Sequence, residues 1–131
     1  TNISNPRSQV VRRALYEKTT IRRGATVCAN ATIVCGLELG RYCFISAGAV
    51  VTKSVPDYAM ILGVPGRQRG WISRHGHPLT EKNPEGLFVC PESGYRYLEE
   101  ETKLRCLDLD EEAPLPTDLS IGVKTYREFN V

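Results

Sequence analysis

The chain has 131 residues, 41% hydrophobic, 24% charged and 8% aromatic, a composition that fits one soluble domain with an appendage and excludes a disordered or fibrous chain. The net charge is only +2, but it is divided: residues 1–75 carry eleven Lys or Arg against three acids, and residues 76–131 carry six against twelve. The basic half attracts phosphates, while the acidic half weakens polynucleotide binding and basic residues interleaved with aromatics are lacking, so a phosphorylated small molecule rather than a nucleic acid is the expected partner.

Residues 1–20 follow no period. Pro6 biases Asn5 away from helical geometry. The segment reads as a loop leading into a regular solenoid, and loops that leave regular structure often carry function.

From Ile21 a period of six begins. Ile21, Val27, Ile33, Leu39, Ile45 and Val51 recur at constant spacing, and the residue four places after each is small or apolar: Ala25, Ala31, Leu37, Cys43, Ala49 and Val55. A helix needs a 3.6-residue period, and a plain strand alternates by two. A six-residue period marks a β-solenoid of short flat strands and tight corners, with one aliphatic per strand pointing into a narrow prism. Three such units make one triangular coil, so the six make about two coils. Each coil needs a neighbour to bury its faces, so the open ends require cover.

Pro56-Asp57-Tyr58 is a turn signal, and residues 61–67 read as an apolar closing strand ending in a Pro-Gly turn. Residues 68–75, with Trp71 and Ile72, are expected to form a helical turn that caps the solenoid. Beyond Gly76 the runs 87–90, 95–98 and 103–107 suggest antiparallel strands, with a turn at 91–94. The acidic stretch 108–112 reads as a loop, and residues 120–131 as a terminal strand or a mobile end. The expected division is therefore a loop at 1–20, a β-helix with closing strand and cap at 21–75, and a small hairpin-like appendage with an acidic tail at 76–131.

Five cysteines occur, at positions 28, 35, 43, 90 and 106, with no CxxC pair, so no zinc site is expected. Free thiols in a reducing cytoplasm are expected instead. No run of about 18 apolar residues occurs, so no membrane span is expected.

The hexads, the run from Phe44 to Pro56 (FISAGAVVTKSVP) and the closing Gly63-Val64-Pro65-Gly66-Arg67 resemble the hexapeptide-repeat acyltransferases, although that family more often has Ala at the place of Gly66. Asn5-Pro6-Arg7-Ser8 and Cys90-Pro91-Glu92-Ser93-Gly94 resemble the branch that acetylates the 3-amino group of nucleotide-linked 2,3-diamino sugars, the UDP-2-acetamido-3-amino-2,3-dideoxy-glucuronate N-acetyltransferase type. The resemblance implies a mainly β fold: a short left-handed parallel β-helix of about two to three coils with a C-terminal antiparallel β appendage. It further implies a cytoplasmic homotrimer that takes acetyl-CoA as co-substrate and a nucleotide amino sugar as acceptor, in surface polysaccharide biosynthesis, with no metal and no membrane.

Carried over position by position, the resemblance places the pantetheine arm against Ala29 and Ala47, one coil apart, and the nucleotide end against Thr52 and Lys53. Arg67 meets the cofactor's phosphates. Asn2, in a Thr-Asn element where the wider superfamily has a catalytic His, is the candidate catalytic residue, and Asn5 and Arg7 are the candidate sugar-nucleotide contacts. His75 and His77 fall after the solenoid, and an i, i+2 pair is a weak metal or base signal. The family's upstream coils, which bind the nucleotide sugar, are not in the sequence. The chain thus resembles the C-terminal half of such an enzyme and is expected to be a truncated form. A non-catalytic trimeric scaffold derived from it is the alternative.

Overall fold

The computed structural model describes residues 2–130, so Thr1 and Val131 lie outside it. Residues 2–19 form a loop broken by one 3-10 turn at Arg13–Leu15. Six two-residue strands follow at intervals of six: β1 Thr20–Ile21, β2 Thr26–Val27, β3 Thr32–Ile33, β4 Glu38–Leu39, β5 Phe44–Ile45 and β6 Val50–Val51. Each strand pairs in parallel with the one a full coil later: Ile21 opposite Leu39, Val27 opposite Ile45, Ile33 opposite Val51. The three-sided parallel β-helix is therefore set by an 18-residue register.

Backbone geometry explains the period. Each corner must reverse direction within a few residues, which calls for one left-handed residue. Gly24, Asn30, Gly36, Tyr42 and Gly48 all have φ between 55° and 82°, and they are themselves six apart. Where a non-glycine takes this conformation, the neighbouring coil compensates. Tyr42 (φ 55°) lies beneath Gly24, where an added Cβ would collide with the Tyr42 ring, and it stacks on Tyr58 with ring centroids 5.5 Å apart. Tyr58 (φ 63°) is fully buried and meets Tyr97 edge-on at 5.3 Å.

After Val51 the register changes. Val55 bridges to Leu39, and β7 Ala59–Leu62 pairs in parallel with β5, setting Ile61 opposite Ile45. The offset is now 16 residues, so Val55 takes an inward place rather than continuing the small-residue series. Gly40 makes the shortcut possible, because a Cβ there would lie 2.5 Å from the Asp57 backbone nitrogen. The inward columns become Ile21–Leu39–Val55 and Val27–Ile45–Ile61. Burial deepens along them: Ile21 is 56% exposed and Val27 42%, while Leu39 and Ile45 are 0% exposed.

The expected cap at residues 68–75 is not helical. The chain turns through a cis Val64–Pro65 bond and returns as β8 Arg67–Ile72, antiparallel to β7. β9 Pro78–Leu79 then pairs with β8. One prism face thereby continues into the sheet β2-β5-β7-β8-β9. The reason is accounting: the outer edge of Ala59–Leu62 would otherwise carry unpaired backbone groups, and a returning strand satisfies them. The closing strand also ends at Leu62, earlier than its apolar run suggests.

The remaining strands, β10 Phe88–Val89, β11 Arg96–Glu100 and β12 Lys103–Cys106, form an antiparallel three-stranded sheet. Its inner face shuts the lower end of the prism. Leu39, Ile45 and Val51 share one buried cluster with Phe88, Tyr97 and Leu104. Trp71 donates its indole N–H to the Glu99 carboxylate, which also accepts from Lys82 at 3.1 Å, and this tie joins the two sheets. The Trp71 hydrogen bond first, then that of Lys82, holds Glu99 below the usual carboxylate range.

The acidic tail lies back over the Tyr42 corner. Glu112 pairs with Arg41 at 2.6 Å, the Tyr42 hydroxyl donates to the Glu111 carbonyl at 2.6 Å, and Arg74 donates to the carbonyls of Asp110 and Ala113. Arg74 also sits 4.3 Å above the Tyr42 ring. The C-terminal segment is not a strand: it ends in one helical turn, α1 Tyr126–Phe129, opened by a capping box between Thr125 and Glu128.

Gly24 and Gly48 separate two costs of a side chain at a corner. Both have left-handed φ, but only at Gly24 would a Cβ meet a ring, while Gly48 faces open space. Gly48→Ala is expected to cost about 1 kcal/mol and Gly24→Ala about 2–3 kcal/mol, read as urea midpoints converted at constant slope. Equal costs would remove the close-approach account of the Gly24–Tyr42 column.

Candidate functional site

At one corner of the prism Ala29 and Ala47 are exposed and stacked one coil apart, joined by the Gly48 N–H donating to the Ala29 carbonyl at 3.0 Å. Side chains there end at Cβ, so the outer surface is close to bare backbone. A linear ligand can approach such a track closely and use its peptide groups.

Beyond that corner, past β6, lies a cleft of about 260 Å³ whose wall includes Thr52, Lys53, Gly66, Arg67 and Gln68. The β7–β8 turn forms one side because Gly66 packs directly on β6: its N–H donates to the Val50 carbonyl at 2.7 Å, and a Cβ would sit 2.8 Å from that oxygen. The Ala more usual in the resembling family does not fit this backbone without a shift. The contact positions Arg67, which is exposed and whose guanidinium donates to its neighbour's carbonyl, that of Gly66, at 3.3 Å, with no ion-pair partner among the described residues. Lys53 is exposed and has no ion-pair partner among the described residues. Two free cations thus face one cleft, an arrangement that suits phosphate oxygens. Gln68 was missed in the sequence because its segment was expected to be helical. No alternation of apolar and polar residues marks residues 67–70, all of them exposed, so the sequence carried no strand signal there.

A second cleft, of about 490 Å³, is built wholly from the N-terminal loop, and Asn2 and Arg7 both line it. Asn5 is exposed and does not line it. The loop is held by Glu17, whose N–H donates to the Asn2 carbonyl at 2.6 Å and whose carboxylate accepts from the Ser4 hydroxyl at 3.0 Å. The structure therefore brings Asn2 and Arg7 together, and Thr52, Lys53 and Arg67 together. Within one chain the two clefts share no residue.

The histidines belong to neither cleft. His77 is 2% exposed, its Nε2 lies 2.9 Å from the Glu92 carboxylate, and Tyr126 and Phe129 of α1 cover its ring. His75 Nε2 lies 2.8 Å from the Leu119 carbonyl. Both tether the C-terminal segment. Among the described residues no three His, Cys, Asp or Glu converge as a metal site, and no helix is long and apolar enough to cross a membrane.

No family model matches the chain. Over 82 residues, 63% of its length, it is 40% identical to the dTDP-3-amino-3,6-dideoxy-alpha-D-galactopyranose 3-N-acetyltransferase of Aneurinibacillus thermoaerophilus, of which it covers 41%. It is 36% identical over 63 residues to a putative serine acetyltransferase of Schizosaccharomyces pombe, covering 48% of this chain and 23% of that protein. Among solved structures it resembles a hexapeptide-repeat-containing acetyltransferase of Vibrio cholerae O1 biovar eltor complexed with acetyl coenzyme A, at 22% identity and a TM-score of 0.43, over 44% of this chain and 32% of that one. Both curated relatives are named as acetyltransferases. The chain spans less than half the length of the curated relatives it matches.

All five cysteines are free, and only Cys28 is not buried. Burial pushes the Cys43 thiol up to about 11 and raises Cys106 as well. At pH 8 roughly one Cys43 in a thousand is then thiolate. Native protein treated with a colorimetric thiol reagent at that pH is expected to show one fast-reacting cysteine, Cys28, with the other four released only by denaturant. Two or more fast thiols would contradict this packing.

Proposed function

We propose that this chain forms the acetyl-CoA-binding end of an acetyltransferase whose acceptor is the amine of a nucleotide-linked sugar. The observation that carries the reading is the cleft shared by Thr52, Lys53 and Arg67 beside the bare-backbone corner at Ala29 and Ala47. In this reading the pantetheine arm lies along the alanine corner and the diphosphate reaches the two cations. The similarity to an acetyltransferase of a dTDP-linked 3-amino sugar supports the acceptor class, and the branch acting on 2,3-diamino sugars is a narrower form of the same proposal.

Acetyl transfer to an amine requires the nucleophile held near the thioester carbonyl, a hydrogen-bond donor at the developing oxyanion, and an exit for the ammonium proton. Asn2 has no basic atom, but its amide can accept from the amine or donate to the carbonyl. It acts by orienting an amine that arrives neutral. Arg7, in the same cleft, meets the sugar nucleotide's diphosphate, and Asn5 assists from the adjoining surface. Because the two clefts share no residue within one chain, the acceptor and cofactor meet between neighbouring copies, which favours a homotrimer with a groove at each contact. The same separation favours a second reading, a trimeric scaffold that binds the cofactor without turnover.

Calorimetric titration of the chain with acetyl-CoA tests the proposal. Arg67→Ala is expected to weaken binding about tenfold, the loss of one charge-assisted contact. Ala47→Trp is expected to abolish binding by filling the track. Absence of binding at millimolar cofactor removes the reading.

Turnover separates enzyme from scaffold. With acetyl-CoA and a dTDP-3-amino-3,6-dideoxyhexose, release of free CoA thiol is expected and Asn2→Ala should lower kcat by at least about tenfold. Cofactor binding with no thiol release from any amino-sugar nucleotide tried would leave the scaffold reading.

A further inference from the structure

The β11–β12 hairpin of the appendage comes up beside Glu38 and residues 54–56 of the coil. Glu100 and Lys103 are opposite each other in the backbone register of the hairpin, and Glu101 makes the turn with φ 56°. A cleft of about 370 Å³ runs between this hairpin and the coil, with Thr102 and Lys103 on one side and Glu38, Ser54, Val55 and Pro56 on the other. Ser54, Val55 and Pro56 are also wall of the cleft that holds Lys53 and Arg67. The two clefts therefore share one wall, residues 54–56.

Lys103 has no ion-pair partner among the described residues, and the acids near it are mostly engaged. Glu38 pairs with Arg22, and Glu100 lies 3.7 Å from Arg105, leaving Glu101 exposed in the turn. Beside the bare backbone of the alanine corner comes the cleft with Lys53 and Arg67, and across its 54–56 wall the cleft with Lys103. From its thioester outward CoA presents an apolar arm, a diphosphate, and a ribose bearing a 3′-phosphate. The two orders match.

We propose that Lys103, carried by the C-terminal appendage, receives the 3′-phosphate of CoA and so makes the appendage part of the cofactor site. The inference rests on the acetyl-CoA reading above. It gives the hairpin a binding role in addition to its packing role at the lower end of the prism.

Titration of the full chain and of Lys103→Ala with CoA and with 3′-dephospho-CoA tests it. The unaltered chain is expected to bind CoA about tenfold more tightly than the dephospho form. Lys103→Ala should lose that preference while its affinity for dephospho-CoA changes less than about twofold, and Lys103→Arg should restore most of it. A preference for CoA that survives in Lys103→Ala overturns this inference and leaves the acetyl-CoA reading standing. If the unaltered chain binds neither molecule, both are overturned.

Discussion

The fold depends on one backbone requirement: a corner every six residues that only a left-handed residue can turn. Gly24, Asn30, Gly36, Tyr42 and Gly48 meet it in succession, and the aliphatics three places before each are thereby aimed inward. Parallel pairing at 18 residues then follows, since three equal sides bring each strand beneath its counterpart. Tyrosine takes this conformation at Tyr42 and again at Tyr58, beyond the regular series, at the cost of local strain. The compensation is tertiary: Gly24 leaves room for the Tyr42 ring, and Tyr42, Tyr58 and Tyr97 pack in series toward the appendage.

The change of offset from 18 to 16 residues shapes the cleft that Lys53 and Arg67 face. It pulls Val55 and Ile61 into the prism and turns the chain outward after Leu62. The return strand then crosses beside β6, where the Gly66 backbone is close enough to bond to Val50. The cleft with Lys53 and Arg67 exists because two segments of unlike geometry, the last regular corner and an antiparallel hairpin, are held side by side by that contact.

The appendage and the solenoid share one hydrophobic cluster, so the lower end of the prism is closed from within the chain. At the upper end Ile21 and Val27 remain largely exposed. The division of charge along the sequence also finds a use. The acidic segment is held by Arg41 and Arg74 at the Tyr42 corner, whereas Lys53, Arg67 and Lys103 make no ion pair among the described residues. Basic residues near the tail are consumed by structure, and those near the cleft stay available to an anion.

The sequence by itself determined the coil. The six-residue recurrence of Ile21 to Val51 and the small residues beside it are local demands of corner and core, so they are written at fixed spacing. The strands around Phe88, Tyr97 and Leu104 were legible for the same reason, and the motif carrying Thr52, Lys53 and Arg67 drew those residues together before any coordinates. The tertiary structure alone decided the shortened last coil, β8 in place of a capping helix, the helical turn at Tyr126–Phe129, and the approach of Lys103 to the Ser54–Pro56 corner. Each of these depends on which distant backbone edge or ring needs a partner. Such needs arise only after the coils are stacked, and no local spacing encodes them.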